Sequence, residues 1–435
     1  MIDKNNKSFC AVPFVSTMVN TDTTIRYCCM VKGAYNKIKR PDGTFYTCKD
    51  DFIKEAWNSQ DMRDIRLAMI DGKRIEGCTV CYDQEANGRT SNRQHSIQEW
   101  SWRLGQEHLN RLIAEAVDNN GHLDSDPVYL DLRLGNLCNL KCRMCNPWNS
   151  SQIVKEHADL VANTPEYGEV WRKTFGKFPV TVMDDQQWFD HDIMWDQVIS
   201  LIPTLKKVYM TGGEPTLIKN NFKFMQACID QGRTDIVLFF NTNCTNINKK
   251  FLDLISQFKQ VNINASMDGV GIVNEYIRAP SDWSLISENI EKLAKMSNVN
   301  LGVTPTIQVY NIFDIDNMLR WVDELNIKYR SDKTFLHSEI FIDFLVNHHP
   351  HHLSVRILDD EMRKVALDMI LEYNSGPHPL QTMNSLQGII GLLQQPRVDD
   401  WQEQLDRFKV YTNALDKERG QSIADIDPRL ATLCL

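Results

Sequence analysis

Three closely spaced cysteines are the most chemically distinctive feature of the sequence. Cys138, Cys142 and Cys145 have the spacing CxxxCxxC and directly follow a strand-like run, VYLDLRL. Three thiolates on one loop can bind three irons of a four-iron, four-sulfur cubane and leave the fourth iron without a protein ligand. An open position on a metal is one at which a substrate or cofactor can coordinate. The alternative is a structural zinc loop, but such sites normally assemble four ligands and no fourth cysteine lies nearby.

Three further polar motifs follow later strand-like runs. KKVYM leads into Gly-Gly-Glu-Pro at 212–215, and IVLFF leads into Asn-Thr-Asn-Cys-Thr at 241–245. VNINASM leads into Ser-Met-Asp-Gly at 266–269, and Arg278 follows within Tyr-Ile-Arg. In a parallel β/α domain the chemistry is expected on loops at the carboxyl ends of the strands, which is where these motifs stand.

In this order the motifs resemble those of the radical S-adenosylmethionine (SAM) superfamily, over about residues 127–345. The resemblance implies that the loop cysteines hold a [4Fe-4S] cluster with an open iron site that cleaves SAM reductively. Gly212, Gly213, Glu214 and Pro215 resemble the turn that binds the amino group of the cofactor's methionine, for which carbonyl and carboxylate acceptors are suited. The other implied cofactor-binding residues are Asn243, Ser266, Asp268 and Arg278, with the serine and the arginine holding the carboxylate and ribose of SAM.

Two residues depart from the superfamily's pattern. Met144 stands beside the last loop cysteine, where most members have an aromatic residue, so the packing of the adenine is expected to differ. Cys244 stands where a TNGT-type turn has glycine. A thiol there could donate a hydrogen atom to a substrate radical, as in radical epimerases, which makes Cys244 the candidate catalytic residue. The alternative, which we favour, is an inert buried thiol that fills a gap.

Another group of cysteines precedes the loop. Cys10, Cys28, Cys78 and Cys81 could supply four thiolates, enough to close a second [4Fe-4S] cluster completely. Zinc in the same ligands is the alternative, and Cys29 competes with Cys28 as a ligand. The arrangement resembles the twitch domain, a shortened SPASM-like auxiliary-cluster domain, placed here before the barrel. A cluster with four thiolates cannot coordinate a substrate, so its expected work is electron transfer.

Six strand-like runs, the four above together with VNLGVTPTIQV and SEIFIDFLV, alternate with amphipathic stretches after Pro127 and predict the α/β fold class. We expect a partial (β/α)6 barrel of the TIM type, with a small amino-terminal iron-sulfur domain and a helical carboxyl-terminal extension. The run His348–His352 is interpreted as a surface or substrate-contact segment. The expected divisions are a twitch-like domain at 1–90, a connecting helix at 91–126, the barrel at 127–350 with an insertion at about 147–190, and the helical extension at 351–435.

Composition restricts the classes of partner. A formal net charge of -9 argues against broad contact with phosphate backbones, so nucleic acid is not expected as a partner. The polar amino terminus and the short apolar runs predict a cytoplasmic protein without a membrane segment.

The resemblance implies a radical SAM enzyme, an oxidoreductase or a peptide or small-molecule modifying enzyme, that removes a hydrogen atom from its substrate. A reducing donor such as flavodoxin or ferredoxin would supply its electrons. Peptide modification is favoured over oxidation or epimerisation of a small alcohol or sugar. The alternative of another class is a non-catalytic, zinc-stabilised interaction protein, which would leave the motif at 212–215 and the order of the motifs unexplained.

Overall fold

The computed structural model describes residues 6–31, 37–86, 88, 90–177, 188–330, 339–347, 349–373 and 379–434. The chain divides into two compact units. The first comprises Met1–Gly135, Gln186–Phe239 and Gln257–Lys259, and the second comprises Asn136–Asp185, Phe240–Ser256 and Gln260–Leu435.

The described ranges contain ten strands. They are β1 (Ser16–Val19), β2 (Ile25–Arg26), β3 (Tyr129–Leu134), β4 (Lys207–Gly212), β5 (Val237–Thr242), β6 (Val261–Ala265), β7 (Val299–Val303), β8 (Thr306–Ile307), β9 (Phe341–Ile342) and β10 (Leu345–Val346).

The same ranges contain seventeen α-helices, and none of them is both long and apolar enough to cross a bilayer. They are α1 (Val12–Val15), α2 (Gln60–Ile70), α3 (Thr79–Ala86), α4 (Asn92–Leu104), α5 (Gln106–Asp118), α6 (Gln152–Asn163), α7 (Pro165–Phe175), α8 (Asp192–Ser200), α9 (Lys219–Asp230), α10 (Lys249–Ile255), α11 (Ile272–Ile277), α12 (Trp283–Ala294), α13 (Ile315–Tyr329), α14 (Asp360–Tyr373), α15 (Leu380–Leu393), α16 (Trp401–Arg419) and α17 (Pro428–Ala431).

In the first unit, β3 is flanked by parallel strands on both sides. Its Leu132 pairs with Met210 of β4 and with Val19 of β1, and β2 adds to β1 in antiparallel fashion. All four residues of β1 are buried, as expected for a strand covered on both faces. The amino-terminal segment therefore shares a sheet with the first predicted barrel strand, which the sequence did not indicate.

In the second unit, β6, β7 and β9 are parallel neighbours, and β8 pairs with β10 in a small sheet. The run SEIFIDFLV, expected as one strand, is instead divided between β9 and β10, which pair with different strands. A side chain at Gly302 would lie 2.5 Å from the Phe341 ring, so this glycine is required for the close approach of β9 to β7.

The segment expected to form one connecting helix forms two. Ser91 begins α4 with a capping box, in which its hydroxyl accepts from the Gln94 N–H and the Gln94 side chain accepts from the Ser91 N–H. Gly105 ends α4 with φ of 84°, a backbone conformation that breaks a right-handed helix, and α5 begins at the next residue. The expectation of a single helix was wrong because the apolar spacing continues across Gly105, whose backbone conformation interrupts the helix.

The α/β class, the parallel strands and the helical carboxyl-terminal region are confirmed. The strands β3, β4, β5, β6, β7 and β9 correspond to the six predicted runs and alternate with helices, in keeping with a partial barrel of the TIM type. The expected domain boundaries stay a prediction. Part of the expected insertion, 178–187, lies outside the described residues, and the part before it forms α6 and α7.

The histidine run is only partly at the surface. His348 lies outside the described residues, and His349 and His351 are exposed. His352 is buried, with its ring 4.7 Å from that of Tyr411, because a short 3-10 turn after Pro350 directs it inward. The expected surface position was therefore wrong for His352, whereas the alternative role in substrate contact stays a prediction.

Candidate functional site

The loop that carries the three cysteines has no regular secondary structure, and backbone hydrogen bonds in the second unit hold it in place. The N–H of Lys141 donates to the carbonyl of Ala279 at 2.5 Å, and the N–H of Arg143 donates to that of Ile277 at 2.8 Å. The loop thus runs beside the segment at the end of α11, where the predicted ligand Arg278 lies.

The thiols of Cys138, Cys142 and Cys145 lie close enough to influence one another. Burial raises the pKa of the Cys145 thiol, and the neighbouring thiols of Cys142 and Cys138 raise it further. Cys142 is buried and the other two are half-buried. Within the described ranges, no three Cys, His, Asp or Glu side chains are arranged to hold a single metal ion. Three soft thiol donors from one loop fit a cubane that keeps one open iron.

Arg143, inside the cysteine motif, is fully buried. Its guanidinium pairs with the Asp416 carboxylate at 2.6 Å, donates to the Gln421 side chain at 3.0 Å, and lies 3.7 Å from the centre of the Tyr276 ring. The Tyr411 hydroxyl donates to the Arg143 carbonyl at 2.7 Å. Residues of α16 and of the segment after it therefore hold the middle of the loop.

A second cluster of charged side chains, centred on the buried Glu156, also contacts the cysteine loop. Glu156 of α6 binds Lys141 at 2.9 Å and Arg419 of α16 at 2.6 Å. Although burial opposes ionisation, Arg419 and Lys141 lower the pKa of Glu156 to about 2. The carboxylate thus stays charged at neutral pH and joins α6, α16 and the cysteine loop.

The predicted ligand Asn243 lies beside the cysteine loop. Its side chain donates to Asn139 at 2.9 Å, Asn139 donates to the Thr245 hydroxyl at 2.8 Å, and that hydroxyl donates to Asn243 at 2.6 Å. This closed ring of three polar side chains ties the turn after β5 to the loop.

Cys244, in the same turn, has a left-handed backbone with φ of 58°. This conformation explains why glycine is suited to the position, since a side chain there is strained. The side chain is 1% exposed, its sulfur lies 3.7 Å from the Thr242 carbonyl, and its own carbonyl accepts from Asn289 at 2.8 Å.

Arg278 lies between a cysteine of the loop and a predicted ligand after β6. Its Nε is 2.7 Å from the Asp268 carboxylate and its NH1 is 3.9 Å from the Cys142 sulfur. Asp268 also accepts from the Thr306 N–H at 2.7 Å. Ser266 is half-buried, and its N–H donates to the Thr242 carbonyl at 2.7 Å. The structure therefore brings Cys142, Arg278 and Asp268 into one buried group.

The Gly212–Pro215 turn belongs to the first unit, whereas the cysteine loop belongs to the second. Gly212 has φ of 122°, and a side chain there would lie 2.6 Å from the Leu134 backbone nitrogen. The buried Glu214 carboxylate accepts from the Thr216 N–H at 3.0 Å and from its hydroxyl at 2.6 Å. Gly213 precedes it and Pro215 begins a short 3-10 turn. Glycine at 212 is needed for the close approach of the turn to β3.

Four amino-terminal cysteines line one cavity in the first unit. They are Cys10, Cys28, Cys78 and Cys81. Cys29 is exposed and does not line this cavity. The donor set, four thiols around one cavity, fits a fully ligated four-iron cluster.

Arg143 and Asp416 could not be predicted from the sequence. An arginine between two cysteines has no distinguishing pattern, and its partner lies 273 residues away. The acidic and aromatic residues of α16 also look like those of any amphipathic helix. Gly420, which caps α16 with a left-handed backbone, is a local signal of where this helix ends, but it gives no sign of the contact with Arg143.

A known protein family matches the part of the chain that carries the cysteine loop and the motifs. Residues 132–322 match the model of the Radical SAM superfamily. No curated protein matches the chain significantly.

Solved structures of two proteins resemble the chain at low identity. SuiB of Streptococcus suis is 12% identical, with a TM-score of 0.36, over 72% of this chain and 62% of SuiB, and its SAM-bound form gives a TM-score of 0.34. The chain thus covers less than two thirds of SuiB's length. TYW1 with a lysine-pyruvate adduct is 16% identical, with a TM-score of 0.27, over 54% of this chain and 67% of TYW1.

The family match includes the cysteine loop, the turn at 212–215, the ring formed by Asn139, Asn243 and Thr245, and the buried group around Arg278. The chain therefore carries a radical SAM domain, at residues 132–322.

Proposed function

We propose that this enzyme cleaves SAM reductively at a [4Fe-4S] cluster held by Cys138, Cys142 and Cys145, and then removes a hydrogen atom from a substrate carbon. The observation that supports this most is the position of Arg278, between the Cys142 sulfur and the Asp268 carboxylate. Arg278 and Asp268, two predicted cofactor ligands, thus form one buried group with Cys142, a predicted cluster ligand.

When bound, the reduced cluster would supply one electron to the sulfonium carbon-sulfur bond of SAM, whose cleavage would give methionine and a 5'-deoxyadenosyl radical. The chain's own residues prepare the site. Burial raises the pKa of the Cys142 thiol, and the Arg278 guanidinium beside it opposes this shift and so favours the thiolate form that binds iron. Asp268 fixes the orientation of that guanidinium. The polar ring around Asn243 and the buried Arg143 hold the loop still, so that three thiolates keep one geometry.

We propose the remaining motif residues as cofactor contacts. Gly212, Gly213, Glu214 and Pro215 would bind the methionine amino group, and Ser266 with Arg278 would hold the carboxylate and ribose. The half-buried Met144 would pack against the adenine with its adaptable apolar side chain.

We further propose a second [4Fe-4S] cluster in the cavity formed by Cys10, Cys28, Cys78 and Cys81. Its support is the convergence of four cysteines from three segments of the chain on one cavity, which Cys28 lines and Cys29 does not. With all irons ligated, this cluster would carry electrons rather than bind a substrate. A flavodoxin or ferredoxin is the proposed source of reducing electrons.

The proposed substrate class is a peptide, because superfamily members with auxiliary clusters often modify ribosomally made peptides. Oxidation or epimerisation of a small alcohol or sugar is the alternative. The cytoplasm is the proposed location, because a chain with twelve cysteines, seven of them proposed as cluster ligands, suits a compartment that keeps thiols reduced. Mass spectrometry after anaerobic incubation with SAM, a reductant and a peptide or metabolite extract separates the two substrate classes.

Replacement of Cys142 tests the cluster loop. We expect Cys142→Ala to abolish formation of 5'-deoxyadenosine under reducing, anaerobic conditions, because a cubane bound by two thiolates is not retained. Chromatographic measurement of 5'-deoxyadenosine checks this. Cys228→Ala, which removes a buried thiol from α9, is the control and should keep wild-type cleavage. Unchanged cleavage by Cys142→Ala would refute the assignment.

The iron content tests the second cluster. The wild type should bind about eight irons, and the Cys78→Ala, Cys81→Ala double variant about four, since two cubanes become one. Cys48→Ala removes another buried thiol that does not line the cavity, and it should keep the full content. Full iron in the double variant would place the second cluster elsewhere, and zinc without iron in the wild type would favour the interaction protein.

For Cys244 we propose the packing role. Cys244→Ala should still form 5'-deoxyadenosine and the normal product, at a cost of about 1 kcal/mol in the free energy of unfolding for the lost buried sulfur. Product analysis in deuterated solvent and thermal unfolding measure the two quantities. Continued cleavage with a diverted product, or with altered deuterium incorporation, would instead identify Cys244 as the hydrogen donor.

A further inference from the structure

Two side-chain hydroxyls lie against thiols of the amino-terminal cavity. The Ser96 oxygen is 3.4 Å from the Cys10 sulfur, and the Tyr27 oxygen is 4.0 Å from the Cys78 sulfur. Both are within the range of hydrogen bonds to sulfur. Tyr27 is 1% exposed and Ser96 is 6% exposed, so neither hydroxyl is in competition with bulk water.

The other two thiols receive backbone N–H groups. The Met30 N–H donates to the Cys28 sulfur at 3.4 Å. Burial raises the pKa of the Cys81 thiol, and a hydrogen bond from the Arg93 N–H opposes this. Each of the four thiols therefore has a hydrogen-bonding neighbour, and the four neighbours come from separate positions in the chain.

A positive charge also lines the cavity. The Arg93 guanidinium is held by the Glu85 carboxylate through two contacts, of 2.8 Å from Nε and 2.6 Å from NH2, and donates to the Phe9 carbonyl at 2.8 Å. The paired guanidinium is thereby fixed beside the thiols.

The direction of the two hydroxyl bonds depends on the charge of the sulfur. A thiol can donate to a hydroxyl, but a thiolate bound to iron has no proton and can only accept. The Ser96 hydroxyl also lies 2.9 Å from the Arg93 carbonyl, and it would turn its hydrogen from that carbonyl to Cys10 when the thiolate forms. For Tyr27 the structure provides the Cys78 sulfur as the neighbouring acceptor.

We propose that Tyr27 and Ser96 are positioning residues that raise the reduction potential of the second cluster, an inference that rests on the proposed presence of that cluster. Hydrogen bonds to ligating sulfurs disperse their negative charge and so favour the reduced, more negative form of a cluster. Tyr27 and Ser96 supply such bonds as neutral groups, without changing the set of ligands.

The test is an anaerobic redox titration of the full-length holoprotein, followed by electron paramagnetic resonance. The signal that does not change when SAM is added belongs to the fully ligated cluster. We expect Tyr27→Phe and Ser96→Ala each to shift the midpoint potential of that signal to a more negative value, and the double variant to shift it further. All three variants should keep about eight irons, because no ligand is lost.

Tyr82→Phe is the matched control. Tyr82 is a buried tyrosine on the same helix as Cys81, but its hydroxyl faces the Ile75 backbone N–H at 3.5 Å and does not line the cavity. Its removal should leave the potential unchanged, as should every variant for the cluster whose signal responds to SAM.

An unchanged potential in both Tyr27→Phe and Ser96→Ala would overturn the inference, and so would a loss of iron from either variant, which would indicate a purely structural role. A wild type with only about four irons would refute the second cluster itself. Iron analysis reports that failure before any titration, so it is distinguishable from a failure of the inference.

Discussion

The buried Arg143 guanidinium is the interaction on which the cysteine loop depends. A cluster loop has to place three thiolates in one arrangement without the support of a helix or a strand. Removing a guanidinium from water costs several kcal/mol, which is offset here by the Asp416 carboxylate, the Gln421 side chain and the face of Tyr276. Because Asp416 belongs to α16, the carboxyl-terminal region is part of the support of the site rather than an appendage.

The other contacts of the loop extend the same principle. Glu156 joins the loop to α6 and α16, and the Asn139, Asn243 and Thr245 ring joins it to the turn after β5. Arg278 then links the loop to the end of β6. These are polar, directional contacts in a buried setting, where loss of one partner leaves another uncompensated. Such a network specifies one arrangement of the loop more strongly than apolar packing would.

The motifs that we propose to carry the chemistry can be recognised in the sequence because their information is local. The spacing of Cys138, Cys142 and Cys145 and the motifs after the predicted strands need only a few neighbouring residues to be read. The long-range pairs could not be predicted, since nothing near Arg143 indicates Asp416. The parallel pairing of β1 with β3 likewise depends on how distant segments meet. The same is true of the cavity, which Cys28 lines and Cys29 does not. Gly105 shows a third limit, because apolar spacing continues across a residue whose backbone interrupts the helix.

We propose that the three loop thiolates leave one iron open for SAM. The most direct measurement is the electron paramagnetic resonance spectrum of the reduced, anaerobically prepared protein with and without SAM. An open iron that binds the cofactor predicts that one cluster signal changes its g-values when SAM is added, while the signal of a fully ligated cluster does not. A spectrum in which no signal responds to SAM would contradict the account.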